Sequence, residues 1–152
     1  MKRLIVVSVC SAALLAGQGV AAQAAQPTPT PVTQTGAVCD KSGATVVKGL
    51  TAFTDELDKA GAAATSGDLA NADKSVKQSG TLLIQLSGDL RNDVKDAQNA
   101  ELKKAVEDVA KEMEIQGGNL HGNGLASLLS YSSKKIEDLS NRVDEICTKQ
   151  AE

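Results

Sequence analysis

From Val38 onward the apolar side chains return every three or four residues, the rhythm of one buried helical face. Val46, Val47, Leu50, Phe53 and Leu57 mark a first helix that opens near Asp40 or Ser42 and fades in the run Ala60 to Ala64 before Thr65, Ser66 and Gly67 break it. A second runs from about residue 67 to 96, where Leu69, Val76, Leu83, Leu90 and Ala97 recur every seventh position. Asn99, with Glu101 and Leu102 behind it, is a helix-start signal. The third stretch, Leu102, Val106, Val109 and Met113, should end at Gly117 and Gly118, with a loop over 119–124. Leu125, Leu129, Ser132, Ile136, Leu139, Val143 and Ile146 mark the fourth helix.

Acid-first pairs four residues apart support the helical reading: Asp55 and Lys59, Asp73 and Lys77, Glu107 and Lys111, Asp138 and Arg142, Glu145 and Lys149. Each adds about 0.2–0.5 kcal/mol to an isolated helix. No stretch shows the alternation of a strand. The small residues Ser79, Gly80, Ser87 and Gly88 in the second helix, with Ser132 and Ser133 in the fourth, suggest close packing against the alanine-rich end of the first helix. A groove for a small apolar ligand or a partner helix is the other reading.

The N-terminus changes the compartment. Lys2 and Arg3, an apolar run from Leu4 to Ala16 and the small-residue end Ala22-Gln23-Ala24 form the three parts of a signal peptide, residues 1–24. Cys10 leaves with it, because Val9 is too bulky before an acylated cysteine. Residues 25–37, with Pro27, Pro29 and Pro31 among threonines, read as a stiff extended tether, a candidate for O-linked sugars. The folded domain is expected over 38–149. Secretion or placement in the cell envelope follows from this layout.

Two cysteines remain, Cys39 and Cys147, and export favours their pairing. Helices joined by short loops usually reverse direction, so four of them return the chain to its starting end and three leave it at the opposite one. A disulfide needs its α-carbons within about 7 Å. The expected fold is therefore all-α, an antiparallel up-down-up-down four-helix bundle closed by one disulfide.

Composition narrows function mainly by exclusion. The formal net charge is −3. Cleavage removes two cations and no acid, so the mature chain is more acidic still, against a nucleic-acid or anionic-membrane partner. With one Phe, one Tyr and no Trp, the chain lacks the rings of base-stacking sites and tight interface anchors. No segment after the signal is apolar enough to span a membrane.

Serine or cysteine nucleophiles with a neighbouring base are not evident, and a single histidine offers no metal-ligand spacing. No catalytic residue, metal or cofactor is assigned. His121, with Tyr131 and Met113 on flanking helix ends, is the one candidate ligand set, for haem or a metal.

Signal peptide, Thr-Pro tether and a helical domain with Cys39 in its first helix and Cys147 in its last resemble the small secreted alanine-rich proteins of actinobacteria. That resemblance implies an exported protein and carries over no catalytic residue. The expected function is a non-enzymatic helical binding module for an unknown protein partner. The alternative is a carrier of a small apolar ligand or haem between its helices.

Overall fold

The computed structural model describes residues 31–149, as four α-helices and one 3-10 turn. The expected signal peptide, 1–24, residues 25–30 of the expected tether and residues 150–152 lie outside the described residues. Helix α1 is Pro31–Thr65, α2 Leu69–Val94, α3 Ala100–Asn123 and α4 Ser133–Lys149, with the 3-10 turn over Gly124–Leu129.

Helix α1 opens nine residues before Asp40, so residues 31–37, expected in the tether, are its first two turns. Pro31 is the last proline in the chain, and a proline fits the first helical position, whose N–H would be unpaired anyway. After it no proline interrupts the helix. At the other end Gly67, with φ of +81°, lets the chain leave α1, and Asp68 N donates to Ala63 O at 2.9 Å. Asp68 then caps α2, accepting from Asn71 N at 3.1 Å.

Asn99 caps α3 as its sequence predicts, accepting from Leu102 N at 3.0 Å. The end of α3 differs from expectation. Gly117 and Gly118 lie inside the helix, which continues to Asn123 and stops at Gly124, whose φ is +54°. Gly117 is there for packing: a Cβ on it would sit 2.7 Å from Gly80 O. A Cβ on Gly80 would in turn meet Gly117 O at 2.5 Å and the backbone nitrogen of His121. Thus Gly80 brings α2 against α3, not against the alanine-rich end of α1.

The fourth element is also shorter than its periodicity suggests. Leu125 and Leu129 fall in the 3-10 turn, Leu129 is 97% exposed, and α4 begins only at Ser133. Asp73 explains the change of path. Its Oδ1 accepts from Leu125 N at 3.0 Å while Oδ2 pairs with Lys77 at 2.8 Å, tying the turn to α2. Hydrogen bonds from Lys77 and Leu125 hold this carboxyl below its usual range.

Packing places residues early in α1 beside residues late in α2: Gly49 against Leu86, Thr45 and Lys41 against Asp93. Leu83, Leu86, Leu90, Leu102, Val106, Met113 and Leu120 fill the core, joined by Phe53 from α1 and by Ile136 and Ile146 from α4. The disulfide Cys39–Cys147 is formed, with an S–S distance of 2.03 Å and α-carbons 5.8 Å apart. Of the anticipated ion pairs, Asp73 with Lys77 forms. Lys59 turns instead to Glu56, Glu107 to Arg91 and Asp138 to Lys134.

Candidate functional site

The bundle is closed unevenly. Helix α1 packs along α2, and α2 along α3, but α1 and α4 touch sparsely and are joined by the disulfide. Between them lies a groove of about 420 Å³. Val46 and Val47 of α1 and Val143 of α4 form its walls, and Leu90, Val106 and Val109 form its floor. Cys39 and Cys147 also line it.

The groove-facing stripe of α1 is Cys39, Ser42 and Val46, spaced by three and four. Val47 is 68% exposed, whereas its sequence position suggested a core residue. Adjacent helical residues point about 100° apart, so Val46 and Val47 cannot share one direction. Ser42 is only 4% exposed, and its hydroxyl has no hydrogen-bond partner. Gly43, also lining the groove, has open space where a Cβ would stand. The charged residues in the lining are Asp40 and Asp144.

A second groove of about 400 Å³ lies between α1 and α2, over Thr45, Gly49, Leu86 and Asp93. Two of its polar groups, Thr45 and Asp93, are engaged by the protein. Thr45 Oγ1 donates to Asp93 Oδ2 at 2.6 Å, and Lys41 Nζ pairs with Asp93 Oδ1 at 3.1 Å. It is a seam between two helices.

The three residues put forward as a ligand set take separate partners. Met113 is wholly buried in the core. Tyr131 packs on Phe53 with ring centroids 5.9 Å apart, and burial raises the pKa of its hydroxyl. His121 lies in the last turn of α3, where Nδ1 is 3.1 Å from Thr81 Oγ1. The same hydroxyl lies 3.1 Å from Lys77 O. None of the three lines the α1–α4 groove. Among the described residues, no group of three or more His, Cys, Asp or Glu side chains could hold a metal ion.

Buried charge sits apart from the groove. Glu112 of α3, 4% exposed, accepts from Lys135 of α4 at 2.5 Å and from Gln116 at 2.8 Å. Desolvation opposes its charge, but these two hydrogen bonds hold the carboxyl below its usual range. Arg91 of α2 reaches Glu107 at 3.1 Å and Glu114 at 2.6 Å. Both clusters fasten helices to one another.

Among the described residues, no helix is long and apolar enough to cross a membrane. Comparison with known proteins finds no matching family model, no matching curated protein and no matching solved structure.

Proposed function

We propose that this chain is an exported, non-enzymatic helical binding module whose recognition site is the groove between α1 and α4. The single observation that carries the reading is that groove: apolar on walls and floor, open to solvent, and of a volume within the range of small-molecule sites. A disulfide joining two distant helices supports an oxidising, extracytoplasmic setting, in keeping with the signal segment and with the resemblance to secreted actinobacterial proteins.

Recognition of a protein partner through a flat helical face is less well supported. The two aromatic residues are engaged with each other and Phe53 is 4% exposed, so the usual interface anchors are not on offer. Haem is not favoured either, because His121, Tyr131 and Met113 lie outside the groove lining.

Native mass spectrometry of the full chain, produced with its leader and equilibrated with a lipid extract of its host, tests the reading. The expected spectrum shows a discrete small-molecule adduct, lost in the groove-filling variant Gly43→Phe. Bare protein at every extract concentration would contradict it.

A further inference from the structure

We propose that the Cys39–Cys147 bridge is a redox latch on α4, whose reduction by a dithiol lets that helix swing away from α1 and dismantles the groove between them. The opening stands apart from the binding role assigned to the groove above, and only the release of a bound ligand rests on that role.

The helices form a ring with one weak seam. Helix α1 packs along α2, α2 along α3 and α3 against α4, whereas α4 meets α1 sparsely. Helices α2 and α3 bury side chains along most of their length, from Ala72 to Val94 and from Leu102 to Leu120. Away from the seam, α1 is fixed to α2 by the fit of Gly49 against Leu86 and by the bonds of Thr45 and Lys41 to Asp93. Helix α4 buries only Ile136 and Ile146. An element with so few buried apolar contacts is one that opens locally at low free energy.

The bridge sits at the end of α4 where it has most leverage. Ahead of the helix, Tyr131 packs on Phe53, and Asp73 ties the 3-10 turn to α2 through Leu125 N. In the first turn Lys135 pairs with the buried Glu112. The hinge end is thus held by several contacts. Cys147 lies in the last turn, where Ile146 is the one buried side chain. Cutting the bridge therefore turns α4 about its start and leaves α1, α2 and α3 packed.

Both cysteines are half-buried and line the open groove, so a thiolate can reach the bridge without the core unfolding. It attacks one sulfur, the bond between the cysteines breaks, and the departing sulfur takes up a proton. The second thiol of the reductant then attacks its own partner sulfur in the mixed disulfide and displaces the remaining cysteine, which is protonated in turn. Two electrons and two protons pass to the protein, and the dithiol leaves as a disulfide. Ser140, Val143 and Asp144 of the groove wall belong to α4 and move with it, so the groove exists only while the latch is shut.

Hydrogen exchange of the full chain, produced with its leader and held in native buffer with or without dithiothreitol, tests the latch. Under dithiothreitol the α4 amides should exchange about a hundredfold faster while α2 and α3 keep their protection, and reoxidation should restore slow exchange. The variant Cys39→Ser with Cys147→Ser should show the open pattern with or without dithiothreitol. A bridge that resists dithiothreitol until denaturant is added, unchanged α4 protection after reduction, or loss of protection in every helix at once would each overturn the latch. In native mass spectrometry with the lipid extract of the host, the adduct on the oxidised chain should be lost from the double variant. An adduct retained while α4 exchanges fast would overturn ligand release. Absence of any adduct on the oxidised chain would instead sink the binding reading, with the opening judged by exchange alone.

Discussion

Glu112 shows how one side chain can secure a helix that the core alone holds loosely. Only Ile136 and Ile146 of α4 are buried, and the pairing of Lys135 with the buried Glu112 adds a polar tie between α4 and α3. Glu112→Gln keeps the shape and the neighbouring Gln116 but loses the charge-assisted bond. It should cost about 1–2 kcal/mol in urea denaturation at neutral pH. The pH dependence follows from the sign of the shift. The folded carboxyl titrates below its usual range, so its stabilisation is present above the unfolded-state pKa and is lost as pH falls through the folded one. The gap between wild type and Glu112→Gln should therefore narrow in acid. A gap that widens there would contradict this account of Glu112.

At the scale of elements, the glycines of α2 and α3 divide by what surrounds them. Gly80 and Gly117 let two backbones approach, while Gly88 and Gly118 have open space where a Cβ would go. Alanine at Gly88 should stabilise by about 0.5–1 kcal/mol through helix propensity. Alanine at Gly80 should destabilise by about 1–3 kcal/mol, because the added methyl meets the backbone of α3. Thermal melts of both variants check this, and a stabilising Gly80→Ala would contradict the close crossing. The same residues mark what the sequence could convey. Asn99 announced the start of α3 because a cap is a local hydrogen bond. Gly117 and Gly118 looked like a terminator because the actual reason for Gly117, the approach of α2, lies 37 positions away at Gly80. Leu125 and Leu129 kept helical spacing, yet Asp73 draws the chain there into a 3-10 turn. Likewise the groove depends on the gap between α1 and α4, which no local pattern records.

For the whole molecule the bridge between Cys39 and Cys147 was the most legible feature, since helix parity and export both led to it. It crosses the side where α1 and α4 have few other contacts. Chain-entropy reasoning gives about 4.7 kcal/mol for a loop near this length, though real bridges commonly yield about 2–4 kcal/mol. The double variant Cys39→Ser with Cys147→Ser should lose stability in that range, and amide hydrogen exchange should quicken in α4 before α3. An unchanged urea midpoint would show that the bridge adds nothing to closure. The measurement that bears most directly on the central claim, a disulfide-clasped bundle whose open side is a ligand site, is a methyl NMR titration of the valine-labelled full chain with the lipid extract of its host. Shifts should concentrate on Val46, Val47, Val106, Val109 and Val143, which line the groove, and spare the core methyls of Val76. Shifts confined to other sites, or none at the highest extract concentration, would contradict it.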